Sequence, residues 1–247
     1  MQTGEPLDPP GVAAAIAPII DRLRIAIVRA VGPMESEVAE RLGVPAPVLR
    51  LLGMLRNTTP DRIVSIADVL EVFLYQPPEQ IRAAIDGLVR AGLAEMIGDE
   101  DLRLAKSAQV LVHEVLGRMQ TVLEELWSDQ AELVARLLPI AQRACAAVTA
   151  SGGAATRIMA PPYQAPDSSP ALLLAESLTP LRFHRFDAYA AAWRAEGLTV
   201  AAILQLPAGP QRQRIEDETN RLSAPPYAVL SDAERFTLVT GLGALPN

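Results

Sequence analysis

Three observations predict a mostly α-helical fold. Apolar residues recur at helical spacing along most of the chain. Runs of β-branched residues are short. One stretch, Arg62 to Lys106, switches from helical period to a small hairpin. The N-terminal helix is expected over Gly11 to Val31, where Val12, Ile16, Ile19, Ile20, Leu23, Ile27 and Val28 make one apolar face. Met1 to Pro10, with three prolines, reads as a loose tail, and Pro18 either kinks the helix or marks its true first turn. Gly32-Pro33 is expected to break it before a short helix over Glu35 to Leu42, ended by Gly43. The next helix runs from about Pro45 to Arg56, with Val48, Leu51, Leu52 and Leu55 apolar, up to a turn cluster at Asn57-Thr58-Thr59-Pro60.

The middle of the chain is the most informative. Arg62-Ile63-Val64 suits a short strand, and Ser65 with Asp68 three residues on is an acidic relative of the capping box. The helix it opens stops at Gln76-Pro77. Pro77-Pro78 then starts another, with Ile81, Ile85, Leu88 and Val89 on one face and Gly92 as its cap. Leu93 to Ile97 and Leu102 to Leu104 can pair around Gly98-Asp99-Glu100-Asp101. The order helix, strand, helix, tight turn, helix, β-hairpin reads as a winged helix-turn-helix.

After it, a long amphipathic helix is expected over Ser107 to Trp127, and another from Gln130 to about Val148 that Pro139 kinks. Ser151-Gly152-Gly153 ends that helix, and Ala160 to Pro170 is a proline-rich connector. Helices follow at Ala171 to Leu178, Leu181 to Ala195, Gln211 to Leu222 and Asp232 to Leu242. Ala-Pro-Pro-Tyr occurs at Ala160 to Tyr163 and at Ala224 to Tyr227, read as two similar turns. The expected organisation is N-terminal dimerisation helices (1–56), a winged helix-turn-helix (57–106), long dimerisation helices (107–153) and a helical C-terminal extension (154–247).

Composition narrows the function. Of 247 residues half are hydrophobic, which excludes a disordered chain, and the net charge of −7 argues against a general polyanion binder. A single cysteine, Cys145, excludes an intramolecular disulfide, and with two histidines it leaves no zinc cluster. The acidic N-terminus is unlike a signal peptide, and the apolar run from Val12 to Ile20 is too short to span a bilayer. These features point to a cytoplasmic protein without membrane association, cofactor or metal.

Ile81-Arg82-Ala83-Ala84-Ile85-Asp86-Gly87-Leu88-Val89-Arg90-Ala91-Gly92-Leu93 resembles the recognition helix of MarR-type winged-helix regulators. The flanking helix, strand and long post-wing helix fall where that family has them, so the resemblance covers roughly residues 11–148. The tail, with His184-Arg185-Phe186-Asp187 and Ala192-Trp193-Arg194, resembles extensions of winged-helix proteins from high-GC actinobacteria. The resemblance implies a transcriptional regulator that binds a near-palindromic double-stranded DNA operator as a homodimer, with a possible small-molecule effector. Gln80 would read adenine edges and Arg82 guanine or phosphate, with Arg90 and Arg103 as backbone contacts. The sequence departs from the family at two places. Met96 stands where an arginine is frequent, and the wing tip is acidic. Asp61 to Lys106 holds five basic and nine acidic residues, a net charge of −4. Like charges about 5 Å apart at an effective dielectric near 20 repel by about 3 kcal/mol before screening. The second reading is therefore a winged-helix module that binds proteins or small molecules and no longer binds DNA.

Elsewhere, Arg182, His184, Arg185 and Asp187 form the densest polar cluster of the tail. Together with Tyr163 they are candidates for an acidic-ligand pocket, against an internal network that ties the tail to the winged helix. Cys145 and Tyr227 read as core or loop-pinning residues, and His113 lacks companion metal ligands. No Gly-x-Ser-x-Gly elbow and no Gly-x-x-x-x-Gly-Lys loop occurs, so no catalytic residue is assigned and no enzyme is expected.

Overall fold

A computed structural model describes residues 7–58 and 62–246. The expected turn residues Thr59 and Pro60, Asp61 and the first six residues of the tail lie outside that range. The described residues hold twelve α-helices and one three-stranded antiparallel sheet, so the chain is mostly α. Helices α1 (Pro9–Leu42) and α2 (Ala46–Leu55) lead through a 3-10 turn to β1 (Ile63–Ser65), α3 (Ile66–Val72), α4 (Pro78–Arg90), β2 (Ala94–Ile97) and β3 (Asp101–Leu104). This order is compatible with a winged helix.

Local chemistry explains the elements. Ser65 Oγ accepts from Asp68 N at 3.0 Å and starts α3. Pro78 opens α4, and Gly92, at φ +67°, closes it while Leu93 N donates to Leu88 O at 2.9 Å. Gly98, at φ +66°, turns the hairpin, and β3 takes the centre of the sheet in the order β1-β3-β2. Leu102 and Leu104 of β3 are buried beneath it.

The remaining helices are α5 (Lys106–Leu126), α6 (Ala131–Ala147), α7 (Ala154–Met159), α8 (Pro170–Ala195), α9 (Val200–Gln205), α10 (Pro210–Leu222), α11 (Pro225–Ala228) and α12 (Asp232–Ala244). Helix α8 is the hub, packing on α1, α5, α6, α7 and α10. The segment Ser128–Ala150 is long and apolar enough to cross a membrane by length and composition, yet Val134, Leu137, Ala141, Ala144 and Val148 face the protein core. A second, smaller core joins Trp193 of α8, Ile203 of α9 and Ile215 of α10 to Leu74 and Tyr75 in the turn between α3 and α4.

Several helical boundaries differ from the sequence expectation. Helix α1 does not break at Gly32-Pro33: it runs on through Leu42, because Val31 and Val38, seven residues apart on one face, both enter the core. Pro18 lies inside it. The helices expected at Ala171 to Leu178 and Leu181 to Ala195 are one, with Pro180 buried between Leu178 and Leu181. A helix-interior proline costs about 3 kcal/mol, whereas each buried leucine returns about 1.5–3 kcal/mol, so tertiary burial outweighs the lost backbone bond. The two Ala-Pro-Pro-Tyr tetrads are dissimilar: Ala160–Pro161 is a cis peptide in the connector, while Ala224 leads into helix α11.

Candidate nucleic-acid interface and its adjoining groove

Helix α4 buries Ile81, Ala84, Ile85 and Leu88 against α2 and β2, and leaves its opposite face in solvent. Gln80, Arg82 and Arg90 are all exposed. Among the described residues, the side chain of neither Arg82 nor Arg90 has a hydrogen-bond or ion-pair partner. Residues two apart on a helix lie about 200° apart around its axis, so Gln80 and Arg82 occupy opposite flanks. The crest between them carries Glu79, Ala83, Asp86 and Arg90. Arg103 sits directly across the hairpin from Glu95, and its Nη2 lies 3.1 Å from Glu95 Oε1. The turn of the β2–β3 hairpin at Asp99 and Glu100 is exposed.

Gln80 and Arg90 also line a groove of about 820 Å³ between α2 and α4. Its floor is apolar, with Val48, Leu51, Phe73 and Ile81, and Arg50 joins Arg90 on its border. The groove is shaped by small residues on α4. A Cβ on Gly87 would stand 2.5 Å from Val48 Cγ2, so the helices approach closely there. Arg50 was not singled out from the sequence. Its signal is that it is the only charged residue of α2.

The tail cluster is divided among several neighbours. Asp187 accepts from Gly153 N (2.9 Å), Ala155 N (3.1 Å), Thr156 N (2.8 Å) and Thr156 Oγ1 (2.6 Å), so it caps α7 from a distant helix. His184 is buried, which pushes its pKa down against the pull of Asp187, and its Nε2 lies 2.8 Å from Ser151 Oγ. The Asp187 carboxylate is engaged by α7, and among the described residues no carboxylate is hydrogen-bonded to His184. Arg182 pairs with Asp21 at 2.7 Å. Arg185 reaches Asn220 Oδ1 (2.7 Å) and Glu216 (3.2 Å). These two arginines border a small cleft of about 170 Å³ beside α1, whereas Tyr163 lies elsewhere, its backbone N donating to Asn57 Oδ1 at 2.9 Å.

Further contacts bind the tail to the head. Arg56 and Glu176 form a buried bidentate pair, Arg194 pairs with Glu71 of α3, and Trp193 Nε1 donates to Tyr75 Oη at 3.1 Å. Helix α8 thus braces α3 and the turn from behind. The Cys145 thiol is buried, and its pKa is pushed up to about 12 by desolvation and then by Glu176. No group of three or more His, Cys, Asp or Glu side chains gathers as a metal site among the described residues. No protein family, curated protein or solved structure matches the chain.

Proposed function

We propose that this chain is a MarR-like winged-helix transcriptional regulator, non-enzymatic and cytoplasmic, which binds double-stranded DNA as a homodimer. The single observation that carries this reading is α4. It follows a tight turn, is held by its apolar face, and offers Gln80, Arg82 and Arg90 to solvent, with both guanidiniums unengaged. In the major groove, Gln80 and Arg82 on opposite flanks would meet different base pairs or strands, and Arg90 would take a phosphate. Arg103 would have to exchange Glu95 for phosphate. Exposed pairs of this kind contribute little, so the exchange is cheap.

Dimerisation is assigned to the outward face of α1. Ile25 is 51% and Val28 44% exposed, and Ile25 lines an open cleft with Pro18, Ala26, Ala30 and Leu126 of α5, which Asp21, Arg22 and Arg29 also line. Binding-site selection from random duplexes tests the reading. A two-fold symmetric motif, with half-sites about one helical turn apart, is expected. Failure to enrich any sequence would count against it. The alternative, an interaction or small-molecule-binding module that no longer holds DNA, is favoured by the acidic residues Glu79, Asp86, Asp99 and Glu100 on the same exposed surface.

A further inference from the structure

Helix α3 poses an electrostatic difficulty for the DNA-binding reading. In a helix-turn-helix the first helix crosses the phosphate backbone while the second enters the groove. The only charged residues of α3 are Asp68 and Glu71, three apart and so on one face. Alone, the helix would bring two carboxylates to that backbone.

Both carboxylates are met by arginines of the C-terminal extension. Arg157 of α7 lies 2.8 Å from Asp68 Oδ1, and Arg194 of α8 lies 2.9 Å from Glu71 Oε2. Arg62, just before β1, donates to the carbonyl oxygens of Arg157 and Ala160, which adds a third guanidinium at the Asp68 end. Neither extension arginine is used up by its ion pair. Each employs Nη2 alone, and among the described residues Nε and Nη1 of both have no hydrogen-bond partner. Their side chains are 57% and 45% exposed, and the Arg194 guanidinium rests over the Trp193 ring, 5.2 Å from its centroid. The carboxylates thus hold both guanidiniums in place without exhausting their donors, and a phosphate oxygen suits the free edge. Trp193 also donates to Tyr75, so Arg194 stands beside the turn that delivers α4.

We infer that the C-terminal extension is part of the DNA-contacting surface, with Arg157 and Arg194 binding duplex phosphates, one near each end of α3. This rests on the DNA-binding reading above. Phosphate contacts position a protein without reading sequence, so these two add affinity to whatever Gln80 and Arg82 select. The extension thereby supplies positive charge that residues 61–106, at a net −4, lack.

The salt dependence of binding tests this on the full chain. Fluorescence anisotropy gives log K against log[salt] for a duplex recovered by selection and for an unrelated duplex bound at low salt. Each ion pair is deleted whole, as Asp68→Asn/Arg157→Ala and Glu71→Gln/Arg194→Ala, so net charge is unchanged. Each deletion is expected to make the slope shallower by about 0.9 per bound chain, and the two together by about 1.8. The loss of affinity should be equal on both duplexes. Arg157→Lys/Arg194→Lys, which keeps both charges, should hold the parent slope. Circular dichroism checks that each variant keeps the parent fold. If a deletion does not, Arg157→Gln and Arg194→Gln carry the same slope test. A role confined to neutralising α3 leaves the slope unchanged in the charge-neutral deletions, and that result overturns the inference while the regulator reading stands. A loss confined to the selected duplex does the same, since it reports a displaced α4 rather than a lost phosphate. A parent that binds no duplex at any salt overturns both.

Discussion

Replacing Glu176 with alanine removes the tie between the end of α2 and α8. Glu176 is 2% and Arg56 7% exposed, with Arg56 Nε 2.9 Å from Oε2 and Nη2 2.8 Å from Oε1. The variant keeps a buried guanidinium but takes away the carboxylate that compensates it. Breaking one side of such a pair costs about 3–5 kcal/mol. In a chain of this size that is a fall of about 6–20 °C in melting temperature. The cost measures the stranded charge rather than the worth of the pair, because desolvation offsets most of the attraction between the two ions. Arg56→Met/Glu176→Leu should therefore recover most of the loss. Urea unfolding followed by far-UV circular dichroism, run on Arg56→Met, Glu176→Leu and the double, gives the coupling. A Glu176→Ala variant within about 1 kcal/mol of the parent would refute this reasoning. So would a double variant whose loss equals the sum of the singles.

Other outcomes follow from the same geometry. Asp187→Ala strips three backbone donors and one hydroxyl of their acceptor, and should lower stability by about 2 kcal/mol in the same unfolding assay. The folded protein holds fewer protons at His184 than the unfolded chain, where histidine titrates near about 6.5. Its contribution is therefore full above that pH and lost as pH falls through it towards the lower folded value. Unfolding free energies of the parent and His184→Gln should accordingly converge or cross between about pH 7 and 5.5, and parallel curves would contradict the burial argument. Cys145 should react with iodoacetamide at pH 8 only as fast as the protein opens, because its thiol is raised to about 12, and rapid labelling of the folded chain would show otherwise. Ile25→Glu should shift the mass measured by light scattering from dimer to monomer without changing the circular dichroism, since the side chain is exposed within one chain.

The head of the molecule was legible in the sequence because its signals are local. Ser65 caps within three residues, Pro77-Pro78 opens α4, and Gly92 and Gly98 take the left-handed conformations their turns require. What was hidden is non-local. Helix α7 has only six residues, and the carboxylate that caps it sits more than thirty positions away at Asp187, so no window around Ala154 signals a start. Pro180 looks like a helix end until α8 is seen buried on several sides, where packing sustains a helix that propensity alone would stop. The candidate interface was legible to the same degree: periodicity identified the exposed positions of α4, but only the packing of α2 beside it reveals the groove and Arg50. The tail cluster was readable as polar and dense, while its partition among Ser151, α7, Asp21 and α10 depends on contacts that no sequence spacing encodes.

The most direct test of α4 as a DNA-reading element is fluorescence anisotropy with labelled duplexes from the region upstream of the chain's own gene. It should be run at low and at physiological salt, with Arg82→Ala alongside. Arg82 is the discriminating position because it lies outside the groove and belongs to the proposed DNA face alone. Saturable binding is expected, selective for one fragment. Arg82→Ala should weaken it about fivefold to about a hundredfold, in line with about 1–3 kcal/mol for one base contact. Equal weak binding to every fragment, or none at low salt, would contradict a role in reading DNA.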